Sequence, residues 1–540
     1  MKKKKLLPLL LAGTLLLTAC GNGDSGTAGT PESTGSVVAS GENGNVGNDD
    51  NAGNDGSGEE NTSGESFTIT MMQELFSDQA PDTNNVWYQK LEEMTGVKME
   101  VNFVPTLSYV DKVTAFIASK SLPMVFTANG NVLKNNNLLM ALDSDGFWAL
   151  DDYIQDYPEL YNFVGEQVWE NSKVHGKIYG IPRLRVLPRN GFMIRQDWLD
   201  ALNLKTPETF DEFYEVAKAF TENDPDGNGQ KDTMGVVTSY QGVGNRGWNG
   251  VQTLAVAFGA PNGWGYENGT MVPDFSTEEY MTALKYIKRL YDDGYLNKDF
   301  AEAGQSRYDD FDKGTYGIVS GVIDDVGGRN TNLPQVVEGA KVTVVPALHA
   351  EGKEPRCNAT SGYNGIIMFT KFGDGAIKSE EDLRKVLSYY NTLATQELQD
   401  MAIYGIEGIH YEVKDGVREL IMNESANTSQ LSVDMGDIGQ ILMSAPYVRK
   451  DSDDDVQTAL YDTIEEREAY CIADAAIGLR SETYDEVGGE LDIIMMDAAV
   501  KFITGNIDED GYWKEYDKWL ERGGEDVIKE FTAQYEEFKK

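Results

Sequence analysis

Read for the alternation of apolar and polar positions, the chain divides near residue 66. Ahead of that point apolar residues gather only in a run over 6–17, and beyond it periodic segments follow one another to the C-terminus. Residues 66–70 alternate as a strand does. Residues 86–94 put Trp87, Leu91 and Met94 on one helical face, with Gly96 placed to cap it, and 97–104 alternate again. A second helix is expected over 110–119 and a short apolar strand over 122–127. A β-α-β-α-β order implies parallel strands joined by right-handed crossovers. Further on, Thr206-Pro207 reads as a cap and first-turn proline for a helix with Phe210, Phe213, Ala217 and Phe220 as its buried stripe. Ser276-Thr277-Glu278-Glu279 reads as a capping box ahead of Tyr280, Leu284, Ile287 and Tyr291. Residues 463–531 are almost wholly helical in pattern, and Cys471 falls on that run. The expected class is α/β with a helical C-terminal region.

The N-terminus changes the picture. Lys2, Lys3, Lys4 and Lys5 precede the apolar run, which is too short to span a membrane as a mature helix, and Leu17-Thr18-Ala19-Cys20 follows it. This order resembles the lipobox of bacterial lipoproteins. It implies that residues 1–19 are a signal peptide and that Cys20 carries lipid as the new N-terminus on the outer face of the cell membrane. The plainer reading is a secretory signal with a chance cysteine. Residues 21–66 contain no aromatic residue, lysine or arginine, so they have too little apolar surface to offset the entropy of ordering. Residues 20–66 are read as a disordered, lipid-anchored linker reaching roughly 35–40 Å.

Charge and cysteine count narrow the partners. The 46 basic and 89 acidic residues give −43, and removing the four signal lysines makes this −47. Such a surface argues against nucleic acid or anionic lipid as ligand. The three cysteines form no disulfide framework, and Cys471 is read as a buried free thiol rather than a partner of Cys357. With only His175, His349 and His410, most histidine-based metal and triad chemistry drops out.

The stretch His175-Gly176-Lys177-Ile178-Tyr179-Gly180-Ile181-Pro182, followed by Ile194-Arg195-Gln196-Asp197-Trp198-Leu199, resembles the family 1 extracellular solute-binding proteins. These are the substrate-capturing lipoproteins of carbohydrate ABC importers. Leu122-Pro123 (with Met124 where the family has Asp), Phe258-Gly259-Ala260, Leu290-Tyr291-Asp292-Asp293-Gly294 and Gly314-Thr315-Tyr316-Gly317-Ile318 occur in the family's order. The nearest pattern is that of large Gram-positive lipoproteins serving oligosaccharide importers. The resemblance implies a two-lobe, type 2 periplasmic-binding-protein-like fold with a hinge. The chain would cross near 181–190, 344–348 and 409–413. One lobe is then 67–182 plus 346–410, and the other 183–345 plus 411–540. It also implies a monomer that takes a carbohydrate ligand and docks on membrane permease subunits.

Asp224-Pro225-Asp226-Gly227-Asn228-Gly229-Gln230-Lys231-Asp232 has EF-hand spacing. Oxygen side chains stand at loop positions 1, 3, 5 and 9, glycine at 6, and the Gln230 carbonyl at 7. Gly235 replaces the glutamate of position 12, so Asp232, Thr233 or water would complete the shell. The expected cofactor is a structural Ca2+ held by Asp224, Asp226, Asn228, Gln230 and Asp232, and comparable loops in oligosaccharide-binding members of that family are structural.

Sugars are held by aromatic faces and planar polar side chains. Trp264, in a glycine-rich loop, is the first candidate for stacking, and Trp248 the second. Arg183 and Arg185 flank the first crossing. Asn129, Asp324, Tyr363, Asn364 and Glu74 lie at expected strand ends. Trp148, Trp169, Trp198, Trp513 and Trp519 are assigned to packing. No catalytic residue is assigned. A surface glycoside hydrolase or lyase stays open at this level, since a carboxylate pair at glycosidase spacing arises readily among so many acids. A peptide- or lipid-binding lipoprotein of the same fold is the third reading. No nucleophile elbow, P-loop, HExxH or zinc cluster occurs.

Overall fold

The computed structural model describes residues 67–540 except 78, 134, 175, 241–249, 303–305, 427, 441–449, 451–452 and 539–540. The expected signal peptide, Cys20, the expected linker and Trp248 therefore lie outside the described residues. No described helix is long and apolar enough to cross a membrane.

Two main sheets organise the rest. The first runs in the order Val97–Pro105, Phe67–Leu75, Val125–Ala128, Tyr363–Phe369, Gly180–Leu184. Phe67–Leu75 is parallel to both of its neighbours, as the β-α-β-α-β pattern requires. The later strand Tyr363–Phe369 inserts antiparallel between Val125–Ala128 and Gly180–Leu184. Alternation along Phe67–Leu75 feeds two cores. Ile69 and Met71 pack with Trp87 and Leu91 on one face, and Met72 packs with Tyr109, Val113 and Phe126 on the other. Val86–Thr95 starts where the Asn85 side chain accepts from the Trp87 and Tyr88 amides, and ends at left-handed Gly96.

The second sheet runs in the order Val342–Val344, Asn190–Arg195, Tyr316–Val322, Met234–Val237. Its larger core draws on Phe210–Glu222, Gly250–Phe258, Glu278–Asp292 and the C-terminal helices. The architecture is thus the mixed α/β, two-lobe arrangement.

Several expectations are corrected. The helix expected to start at Thr206-Pro207 begins instead at Phe210. Thr209 and Glu212 form a reciprocal capping box there, which satisfies the first amides better than an upstream proline would. Thr277, not Ser276, caps Glu278–Asp292. Cys471 is not helical, because Asp455–Glu468 ends before it and Cys471–Ile472 is a short strand. The lobe division also shifts. Cys357–Asn358 pairs with Cys471–Ile472, and His349 bridges to Thr209, so 346–358 pack with the second lobe. Conversely, Leu431 and Ile438 join the core against Trp87 and Tyr88, and Asn85 Nδ2 donates to the Asp434 carbonyl. Apolar burial, rather than sequence adjacency, assigns 411–438 to the first lobe.

Candidate ligand site at the lobe crossing

Two crossings run side by side. The first is 185–189, within the expected 181–190, and the second is 359–362. The Arg185 amide donates to the Gly362 carbonyl at 2.8 Å, and the Thr360 amide to that of Leu187 at 2.8 Å. Thr360 Oγ1 donates to the Val186 carbonyl at 2.8 Å. This ladder ties the two crossings together. The carboxyl ends of Phe67–Leu75, Val125–Ala128 and Gly180–Leu184 reach it from one side, and those of Met234–Val237 and Tyr316–Val322 from the other. Such ends are where open α/β sheets leave polar groups and space for a ligand.

The first lobe's edge gathers four of the expected residues. Glu74 and Arg183 are each 4% exposed. Asn129 Nδ2 donates to Glu74 Oε2 at 3.1 Å, while Asn129 Oδ1 accepts from the Val132 amide at 3.0 Å. Thr127 Oγ1 donates to Gln73 Oε1 at 3.0 Å, and Gln73 Nε2 donates to the Glu74 carbonyl. Burial pushes the Arg183 guanidinium down to about 10; nearby Arg185 acts the same way and Glu74 opposes it. Burial likewise lowers Arg185, with Arg189 adding to the effect and Asp324 opposing.

The second lobe's edge is mostly neutral. Thr238 Oγ1 and Ser320 Oγ lie 2.6 Å apart. Asn297 accepts from the Thr238 amide at 3.0 Å and donates to its carbonyl at 3.1 Å. Asp324 follows the strand end as expected, but it grips Arg189 from both carboxylate oxygens at 2.9 and 3.0 Å. Arg189 pairs with Asp324, and Asp325 lies near Asp324, Arg189 and Tyr308; the sequence reading did not single these three neighbours out. Their signal was available, since Arg189 lies inside the expected crossing and Asp325 adjoins Asp324.

Other candidates fare differently. Tyr363 is half-buried, its hydroxyl donating to the Asn171 carbonyl at 3.2 Å while its ring packs on first-lobe apolar residues. Asn364 is exposed beside Gly365, where the strand register shifts. Gly365 has φ +91°, and a Cβ there would stand 2.8 Å from the Ala128 carbonyl oxygen. Trp264 is corrected as a stacking residue. It is 4% exposed, with Phe531 at 5.1 Å and Trp519 at 6.4 Å between ring centroids. The glycine-rich loop turns the indole inward because the C-terminal helices offer an aromatic pocket.

The acidic loop joins Phe210–Glu222 to Met234–Val237. Asp224 Oδ2 accepts from the Gly229 amide at 3.0 Å. The Asn228 amide group donates to Asp226 at 2.8 Å and to Asp232 at 3.3 Å. Thr233 turns away, donating to the Phe220 carbonyl, so it is corrected as a candidate ligand. Among the described residues no three acidic, histidine or cysteine side chains are gathered closely enough to hold a metal by themselves. The donor set still fits a hard cation. Asp224 Oδ1 is buried without a hydrogen-bond partner. Asp226 is pushed up by burial, and Asp224 and Asp232 add to that. Here the Asn228 amide bridges the carboxylates.

The sequence profile of the bacterial extracellular solute-binding proteins matches residues 72–371, and the chain belongs to that family. It is 36% identical over 489 residues to lipoprotein LipO of Bacillus subtilis, covering 87% of this chain and 93% of the relative. It is 32% identical over 473 residues to the polygalacturonan/rhamnogalacturonan-binding protein YtcQ of the same organism, covering 87% and 92%. An extracellular solute-binding protein structure from Bifidobacterium longum subsp. infantis superposes with TM-score 0.65 at 18% identity, over 88% of this chain and 99% of that one.

Proposed function

We propose that the protein is the capture subunit of a carbohydrate ABC importer, held outside the cell by lipid on Cys20, and that it binds an oligosaccharide in the cleft without turning it over. The observation that carries this reading is the likeness over 87% of the chain to a relative described as polygalacturonan/rhamnogalacturonan-binding. The cleft's chemistry supports it. Asn129, Glu74 and Arg183 offer planar groups for paired hydroxyls, and Arg185 offers a cation for a uronate. Ligand bridging both edges would favour closure only as far as it prefers the closed state, and closure is what a permease would read. The acidic loop is proposed to hold a Ca2+ that stiffens the second lobe.

The test is a thermal-shift panel of oligogalacturonides, rhamnogalacturonan fragments, neutral oligosaccharides and peptides. A ligand at a hundred times its Kd adds about 2.7 kcal/mol to stability. Stabilisation by an oligosaccharide recovered intact is expected. Stabilisation by peptides alone, or cleavage of the sugar, would overturn the reading. For the loop, EGTA should lower Tm and Ca2+ restore it; an unchanged Tm together with no heat on Ca2+ titration would dismiss the ion.

A further inference from the structure

Two cysteines remain once Cys20 is set aside, and the fold brings them together from 114 positions apart. Cys357 stands opposite Cys471 in a parallel pairing of two short strands. Their sulfurs are 3.6 Å apart. Adjacent strands lie about 4.8 Å apart, within the roughly 4.4–6.8 Å between Cα atoms that a disulfide spans. The strands are held from both sides. The Cys357 amide donates to the Tyr470 carbonyl and the Ala359 amide to that of Ile472, each at 3.0 Å. Asn262 Nδ2 donates to both the Ala359 and Ile472 carbonyls at 2.8 Å. Closing the bond to about 2.0 Å needs less than about 1 Å of movement per sulfur. The second crossing begins at the very next residues, 359–362.

We infer that Cys357 and Cys471 form a disulfide in the exported protein, and that it fastens the second crossing to the second lobe. The oxidant is a disulfide of the extracytoplasmic space, carried by a thiol oxidase or a small molecule. One cysteine of the pair attacks one oxidant sulfur as its thiolate; a mixed disulfide forms and one oxidant thiolate leaves. The thiolate of the other cysteine then attacks the protein sulfur of the mixed disulfide and the second oxidant thiolate leaves. The two protons lost by the protein thiols end on the two released thiols, so the protein loses two electrons and the oxidant gains them. In the reduced pair, donation from Cys471 holds the Cys357 thiol down at about 7, with the Arg467 guanidinium adding to this and burial opposing it, and the same contact pushes Cys471 up. An exported location allows such bonds to persist.

The test uses the full exported chain, denatured and alkylated with iodoacetamide without reductant, then digested and weighed. The expected result is a linked Cys357–Cys471 peptide pair, two hydrogens lighter than the two thiol peptides and alkylated only after reduction. Alkylation of both cysteines without reductant, or linkage of either to Cys20, would overturn the inference. Reductant should also lower the Tm of the wild type by several degrees and leave Cys357→Ala/Cys471→Ala unmoved. Equal responses in the two proteins would count against it.

Discussion

The two sheet edges that meet at the crossing are built from different chemistry. The first carries buried charge in Glu74 and Arg183, with Asn129 between strand end and helix start. The second rests mainly on neutral groups, Thr238, Ser320 and Asn297, and the charge it buries stays within its own lobe, Arg307 donating to the Ser320 carbonyl and Asn297 donating to Asp299. Buried charge is costly unless paired, so an edge that keeps it has a reason beyond folding. Neutral hydroxyl and amide networks fix strand ends at little cost. On this contrast we propose that the first lobe supplies most of the ligand's polar partners and that the second supplies a rigid surface to close on them.

The largest expected effect lies away from both edges and serves as their control. Trp264→Ala removes an indole from the second lobe's core and should cost about 3–5 kcal/mol of stability. Urea unfolding measures this, while titration of the folded variant in the cold should show near-native sugar affinity. A folded Trp264→Ala that no longer binds would move the site from the two sheet edges into the second lobe's aromatic cluster and break the comparison. Arg183→Ala comes next. Loss of a charged hydrogen-bonding partner is worth about 1.5–3 kcal/mol, or roughly ten- to a hundredfold in affinity. Ser320→Ala, on the other edge, should cost about 1 kcal/mol of stability and leave affinity within about twofold. If calorimetry finds the two losses of affinity equal, the edges share the work and the asymmetry is wrong. An effect on stability at least as large as that of Ser320→Ala is expected at Gly365→Ala, where a left-handed φ and a carbonyl at 2.8 Å meet the new methyl group. A cost of about 1–3 kcal/mol should appear in thermal unfolding, with weaker binding because Asn129 shifts.

Much of this contrast is legible from sequence on the first edge and little on the second. Glu74 and Asn129 follow from strand ends, because alternation over 66–70 and the apolar run over 122–127 mark where parallel strands stop, whereas Arg183 follows from the crossing that the family resemblance implies. The insertion of Tyr363–Phe369 between earlier strands was not legible, since pairing partners hundreds of residues apart leave no local trace. The same holds for 411–438, whose apolar residues reach the first lobe's core only through tertiary packing. Trp264 misled because a glycine-rich loop is ordinarily exposed. What buried it was an aromatic cluster from the C-terminal helices, some 250 residues away. Asp324 was placed correctly at a strand end, but its grip on Arg189 depends on the turn of the crossing itself.

The smallest effect tests the electrostatics of that crossing. The Asp325 carboxyl is pushed up first by burial and then by Asp324, with Tyr308, Arg189 and Arg329 opposing. An acid whose pKa is raised by folding holds its proton more tightly in the native state, so its ionised form weighs against folding at neutral pH. That penalty lifts as pH falls through the folded pKa towards the ordinary carboxylate value. Asp325→Asn removes the charge and should therefore raise Tm slightly at pH 7. The gap between variant and wild type should shrink steadily as pH is lowered, because the wild type gains the proton that the variant no longer needs. Arg189, relieved of one of two nearby carboxylates, keeps Asp324 as its partner, so ligand affinity should stay near native. A gap that widens on acidification would mean that Asp325 is stabilised as an anion by Arg189 and Arg329. The crossing would then be a second charged edge, and the contrast between the lobes would dissolve.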